Sequence, residues 1–415
     1  MNPKRRPVLI ILPFLLLYIL IVLIFSSTEL VGDESRYLTI ADNFIHLNFS
    51  SKFEVNIWNG PGYPLFISPL VAFGLPAIFI KLLNAVLLYL SLILIFKTLK
   101  RHISEKKALL TAVILGCYLP FYPYLTNVLS ECLSWFLISL VVFYVVKYFR
   151  STSVINWNLF ITSIALLLLC MTKVLFGYVL SSVLVLALIF KVFQNSSESV
   201  NKSILLSAIT LIGCIPWLLY TYSISGNSFY WSSAGGKSLY AMSSPYEEDL
   251  GDWRSTTDLK DDPNHKEFIE KVWSLSQVQR DSAYMTKGIE NLKNHPAKYF
   301  QNWTANVGRL FFSYPFSESK QSVKTYFRLL PNVIVVSLIL ISFFILFKKS
   351  IIQKLPSFLV PLLIFFSVYL FLSSLLSAYN RFFMITLPYW FVFVSIILNN
   401  SMTIRFNNLK RELKN

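Results

Sequence analysis

The chain has 415 residues, 55% of them hydrophobic, and a mean hydropathy of +0.58, which excludes an ordinary water-soluble domain. Its formal charge is +16, yet about half of its Lys and Arg residues fall in short turns between apolar runs, where insertion orientation and anionic lipid explain them without a nucleic-acid partner. Cys117, Cys132, Cys170 and Cys214 lie in or beside those runs without metal-ligand spacing and read as buried free thiols.

In chain order, apolar runs long enough to cross a hydrocarbon core of ~30 Å predict spans at 8–26, 76–96, 108–125, 131–149, 157–171, 174–190, 203–222, 328–347, 356–375 and 383–399. The first has a basic flank like a signal peptide, but it is long and lacks a small-x-small cleavage site, so it reads as a retained helix. These spans make an all-α polytopic membrane protein with both termini on one side. Lys4, Arg5, Arg6, Lys97, Lys100, Arg101, Lys147, Arg150, Lys348, Lys349, Lys354, Arg405 and Lys410 fall on that side, which the positive-inside rule makes cytoplasmic.

Two segments face the other way. Residues 1–222 form an N-terminal transmembrane module whose first outer loop is 27–75; residues 223–327 form an extracytoplasmic insert; residues 328–415 hold the last membrane helices and a basic tail. The outer loop begins with an amphipathic helix, because Tyr37, Ile40, Ala41, Phe44 and Ile45 recur at helical spacing. Asp33, Arg36 and Tyr37 share one face of it. Asp33 also fits an N-cap and Glu34 a favourable first-turn charge, roles compatible with chemistry because a cap fixes a carboxylate in place. Asn59-Gly60-Pro61-Gly62-Tyr63-Pro64 predicts a rigid turn, suited to close backbone approach to a ligand or to re-entry into the membrane. The insert ends in a helix after His295-Pro296, with an apolar face of Tyr299, Phe300, Trp303, Val307, Leu310 and Phe311.

Three charges stand out at the ends of spans. Glu131 begins an apolar run, Lys173 separates two short ones, and Arg381 precedes the last. Ionisable groups at such depth are costly and are functional candidates, although Glu131 also fits a helix-start carboxylate in the headgroup region and Lys173 and Arg381 also fit side chains that snorkel to headgroups. Outward cations run against the orientation rule and suit a phosphate. Carboxylates beside membrane-edge cations fit transfer from a lipid phosphate to a hydroxyl: a carboxylate takes the acceptor proton while cations stabilise the departing phosphate.

Asp33-Glu34-Ser35-Arg36-Tyr37 with Ile40-Ala41 resembles the acidic motif of the polyprenyl-phosphate-dependent GT-C glycosyltransferases, which include protein O-mannosyltransferases and aminoarabinose transferases. Gly60-Pro61-Gly62-Tyr63-Pro64-Leu65, Ser130-Glu131, Pro216-Trp217, His295-Pro296 and Tyr379-Asn380-Arg381 with Pro388 resemble later motifs of its bacterial family 39-like branch, in the expected order. The resemblance implies a GT-C-like bundle of about ten helices with a mostly helical outer domain, and an inverting transfer of one sugar from a polyprenyl-phosphate donor to a glycan, lipid or protein hydroxyl. It implies Asp33 and Glu34 as catalytic residues, Asp33 being the base. Arg36, Tyr37, Tyr63, Glu131, Lys173, Tyr379 and Arg381 are then substrate-binding. Departures occur at Ala378, where the family commonly has arginine, and at Thr172-Lys173-Val174, where it has threonine-arginine-proline.

The branch suggests a bacterial inner membrane, with membrane lipids as further partners. Asp33, Glu34 and Glu131 offer oxygen ligands, but no spacing demands a divalent metal and none is expected to be obligatory. One rival reading is a flippase for lipid-linked saccharides, which should place charges near the bilayer midplane and show paired broken helices; a second is a saccharide polymerase or ligase, whose donor glycan sits on a pyrophosphate lipid.

Overall fold

The computed structural model describes residues 6–30, 32–50, 55–193, 197–317, 323–348 and 355–401. Lys4, Arg5, Lys349, Lys354, Arg405 and Lys410 lie outside the described residues. Among the described residues every regular element is helical: α1 (Arg6–Phe25), α2 (Glu34–Ile45), α3 (Gly62–Ala72), α4 (Ala77–Leu99), α5 (Glu105–Gly116), α6 (Glu131–Arg150), α7 (Trp157–Thr172), α8 (Leu175–Phe193), α9 (Glu198–Ser225), α10 (Gly235–Met242), α11 (Thr256–Asp261), α12 (Lys266–Trp273), α13 (Gln277–Asn294), α14 (Pro296–Phe312), α15 (Val323–Lys348), α16 (Leu359–Ser374), α17 (Asn380–Met384) and α18 (Leu387–Ser401).

The chain is an all-helical polytopic membrane protein. Helices α4, α6, α8, α9 and α15 are long and apolar enough to cross a membrane, and α1, α7, α16 and α18 carry shorter apolar stretches. α6 is buried on nearly every side, between α4, α7 and α18, whereas α15 buries only a stripe. Phe176 of α8 stacks on Tyr369 of α16 at 4.3 Å, joining the early and late helices in one apolar core.

The expected span at 108–125 is divided. α5 stops at Gly116 and a 3-10 turn, Leu119–Tyr124, follows. Pro120 and Pro123 lack the N–H groups that a continuing ladder needs. The Gly116 carbonyl instead accepts from the hydroxyls of Tyr18 at 2.9 Å and Tyr122 at 2.8 Å. The first connecting loop is also more ordered than its turn residues suggest, because α3 forms within it and packs on α2, α4 and α7. At 11 residues α3 is about 17 Å long, too short to cross. Three cysteines are buried as expected, but Cys117 is exposed.

Helix caps set the frame of the insert. Ser255 with Asp258 and Ser276 with Gln279 form capping boxes at α11 and α13, and Pro296 opens α14. A small separate core of Tyr240, Leu259, Ile269, Val272 and Tyr284 holds α10 to α13 together. The insert is fastened to the bundle by Trp231, whose ring lies against Gly177 and whose carbonyl accepts from the Trp217 indole at 3.1 Å. α14 caps the bundle, but through polar residues more than its expected apolar face. Asn306 bonds the Ser374 and Leu376 carbonyls and the Ala378 N–H, while Phe300 stays exposed.

Candidate functional site

The first amphipathic helix forms where expected, burying Tyr37, Ile40 and Ala41 and leaving Ile45 exposed. Asp33 precedes it but makes no side-chain capping bond. Its Oδ1 accepts instead from Arg36 Nη1 at 2.8 Å, and its Oδ2 lies 3.9 Å from Arg381 Nη1. Arg36 also donates to Asn59 at 3.0 Å, Asn59 donates to the Tyr37 hydroxyl at 3.0 Å, and that hydroxyl meets Ser130 Oγ at 3.2 Å. One hydrogen-bonded chain therefore runs from Asp33 to the start of α6.

Next to Ser130 stands Glu131. Its Oε1 accepts from Lys173 Nζ at 2.8 Å and lies 3.7 Å from Arg381 Nη1. Lys173 caps α7 at the turn into α8, and Arg381 enters from α17. Residues far apart in sequence thus meet at one end of the helix bundle, around Arg381, which faces both Asp33 and Glu131. The two carboxylates differ in access: the Asp33 side chain is 26% exposed and that of Glu131 is 1% exposed. Tyr63 Oη, Glu131 Oε2 and Arg381 Nε are buried without a hydrogen-bond partner among the described residues, an arrangement suited to a polar ligand. Burial, and after it the Glu131 carboxylate, holds the Tyr37 hydroxyl well above the usual phenol range, so it remains protonated.

The turn at Asn59–Pro64 owes its glycines to a neighbouring backbone. A Cβ at Gly60 would stand 2.1 Å from the Met171 carbonyl oxygen, and one at Gly62 would stand 2.6 Å from Thr172 N. The turn therefore seats directly on the C-terminus of α7, beside Lys173, and holds Tyr63 against Tyr37 at 4.9 Å between ring centres.

Two expected site residues are placed elsewhere. Glu34 is buried and accepts from Val128 N at 2.5 Å, tying α2 to the loop before α6. Tyr379 donates to the Trp253 carbonyl at 2.7 Å and anchors the insert; burial, then Asp252, pushes its phenol up to about 12. Asn59 and Ser130 belong to the hydrogen-bonded chain although sequence reasoning did not select them. Their signal was adjacency to Gly60 and Glu131.

A cluster of Asp249, Asp262 and His265 in the insert has ligand-like proximity. Arg254 Nη1 already bridges it, 3.3 Å from Asp249 and 2.6 Å from Asp262, while His265 lies between Asp249 and Tyr240. This network is internally paired. It joins α12 to the segment following α10.

No protein-family model matches the chain, and no curated protein matches it. Among solved structures, it is similar to the crystal structure of ArnT from Cupriavidus metallidurans bound to undecaprenyl phosphate, with 13% identity, 94% of this chain and 77% of that chain covered, and a TM-score of 0.40. The likeness is distant, and the functional reading rests on the site itself.

Proposed function

We propose that the protein is a GT-C-type glycosyltransferase that moves one sugar, with inversion, from a polyprenyl-phosphate donor to a hydroxyl of a cell-envelope glycan, lipid or protein. The observation that carries this reading is the unequal pair of carboxylates sharing Arg381: Asp33 reachable, Glu131 buried. A general base must reach its acceptor, so Asp33 takes the acceptor proton. Glu131 is the buried counter-ion that holds Lys173 and Arg381 in place. The acceptor oxygen attacks the anomeric carbon, the bond from that carbon to the phosphate oxygen breaks, and its electron pair leaves with the phosphate. Lys173 and Arg381 stabilise that charge, and this step calls for no obligatory divalent metal. Glu34 positions α2 through Val128.

The outer face of a bacterial inner membrane is the proposed location. It is supported by Lys97, Lys100, Arg101, Lys147, Arg150, Lys191, Lys202 and Lys348, which lie in the terminal turns of helices or just beyond them, at the other end of the bundle from Asp33.

Asp33→Asn keeps the shape but cannot take the proton, so transfer should fall ~10²–10⁴-fold while donor-lipid binding persists. The measurement is mass spectrometry of lipid extracts and surface glycans from cells with and without the gene, complemented by either form. A polyprenyl-phosphate sugar should accumulate as one sugar vanishes from a glycan. Turnover of the variant at the wild-type rate would remove Asp33 as base. Rescue by the variant, with complete lipid-linked oligosaccharides accumulating in the deletion strain, would instead make the protein a flippase.

A further inference from the structure

Beside Asp33, on the side of the polar insert, lies a cleft of about 800 Å³ between α2 and the start of α13. That volume is in the upper part of the ~300–1,000 Å³ typical of small-molecule sites. Arg36 and Arg280 face it from opposite walls, and Thr39, Asn43, Asn56 and Gln277 supply hydroxyl and amide groups between them. Among the described residues no carboxylate lines it. Arg36 is shared: it contributes to this wall and also binds Asp33 at 2.8 Å, so one guanidinium links the cleft to the proposed base.

Among the described residues the walls carry a positive surplus. Arg280 is held by the Trp273 and Leu275 carbonyls at 3.0 and 2.9 Å, its Nε buried without a hydrogen-bond partner, and no acidic side chain pairs with it among the described residues. Lys237 of α10 adds a third cation nearby, with its ammonium 4.2 Å from the centre of the Trp253 ring and 3.2 Å from Thr256 Oγ1. Burial, against the pull of Asp258 and with Arg36 and Arg280 adding to it, brings that ammonium down to about 8. The Trp58 ring lies 5.7 Å from the Arg36 guanidinium and offers a flat apolar surface next to these donors.

We infer that this cleft is the acceptor subsite and that the acceptor is an anionic saccharide, bearing a carboxylate or phosphate that Arg36 and Arg280 bind while a sugar hydroxyl reaches Asp33. This rests on the transferase reading and deepens it by assigning the acceptor class. Thr39, Asn43, Asn56 and Gln277 match sugar hydroxyls and would be left unpaired by an acyl chain, while Ile40, Ile224 and Val278 offer apolar surface to the faces of a sugar ring. The donor phosphate has its own cations in Lys173 and Arg381, so the two anions do not compete.

The test uses the full chain in lipid nanodiscs and calorimetric titration with trigalacturonate, mannose 6-phosphate and neutral maltotriose. At least one anionic probe should bind about tenfold more tightly than maltotriose, the size of one hydrogen bond to a charged group. The two anionic arms tell carboxylate from phosphate. Arg280→Gln should remove that advantage without changing maltotriose binding, and Thr39→Trp, on an exposed position of α2, should weaken all binding by filling the cleft. Absence of binding by all three probes, equal affinity for charged and neutral sugars, or indifference to both substitutions would overturn the inference. Because the readout is binding, it is separable from Asp33 chemistry. Asp33→Asn at wild-type turnover sinks the transferase reading but leaves an anion-binding cleft; failed titrations sink the cleft and leave the transferase.

Discussion

Lys173→Met tests whether the charged ring is a coupled structural unit as well as a phosphate site. The substitution keeps an unbranched side chain of similar length but removes the ammonium 2.8 Å from Glu131 Oε1, leaving a carboxylate that is 1% exposed. Removing one partner of a buried pair typically costs ~3–5 kcal/mol. Two features place this case at the lower end, about 3 kcal/mol: the Lys173 side chain is 19% exposed, and Arg381 remains 3.7 Å from the same oxygen. At that size the folded-to-unfolded ratio falls about a hundredfold. In Glu131→Leu/Lys173→Met neither member of the pair is left as a buried charge and Arg381, 33% exposed, keeps Asp33 at 3.9 Å, so the double variant should be more stable than Lys173→Met by about 1–2 kcal/mol. Equilibrium unfolding in mixed micelles reads the three proteins, and a sugar-transfer assay reads the function both variants should lose. A Lys173→Met protein within about 0.5 kcal/mol of wild type, or a double variant less stable than the single one, would refute the pairing. An active double variant would refute the phosphate-binding role.

Gly60→Ala and Gly62→Ala should each cost about 1–3 kcal/mol by forcing the turn off the α7 backbone, and should raise the donor KM by displacing Lys173. Gly74→Ala is the control: its φ is +64° with nothing within 4 Å of a Cβ, so it should destabilise by about 1–2 kcal/mol with donor KM unchanged. Activity loss at Gly74 equal to that at Gly60 would contradict the local argument. Lys237 ionises near 8 in the folded chain, against an ordinary 10.5. The unfolded chain therefore holds more protons between those values, and stability should rise with pH across that window. Lys237→Met should flatten the rise, and a wild-type unfolding midpoint independent of pH there would contradict it. Removal of metals with EDTA should leave transfer unchanged; loss of transfer that magnesium restores would show that a divalent ion is required.

Much of the bundle could be read from hydropathy because lipid imposes long apolar runs on every crossing helix. The break at Gly116 escaped, although Pro120 and Pro123 were in view, because the run stays apolar through it. α3 escaped for the opposite reason: glycine and proline before it signal a turn, and nothing local shows that α2 and α7 will support a short helix after that turn. In the site, Glu131, Lys173 and Arg381 were visible singly as charges out of place. Their pairing was not, since Lys173 and Glu131 meet across 42 positions of sequence. Glu34 bonds the Val128 backbone N–H and Gly62 lies against Met171 and Thr172, contacts between distant segments that no local pattern encodes. The cleft between α2 and α13 was likewise hidden, because its walls are far apart in sequence and only the docking of the insert brings them together.

The position of Arg381 gives the proposed reaction an internal logic. Asp33 and Glu131 both face Arg381, with Lys173 on Glu131 and Arg36 on Asp33. A polyprenyl-phosphate sugar is a phosphodiester with one negative charge, and Lys173 and Arg381 are the cations it meets. When the acceptor proton passes to Asp33, that carboxylate stops competing for Arg381 just as the phosphate acquires its second negative charge. The guanidinium, 3.9 Å from Asp33 Oδ2 before the reaction, can then follow the charge from the base to the leaving group. Total charge in the ring stays constant while its attraction to the phosphate strengthens along the reaction. That is the differential binding that accelerates a step rather than merely tightening the substrate. Glu131, inaccessible to the acceptor, keeps Lys173 and Arg381 assembled throughout, which is why one acid must be buried and the other open.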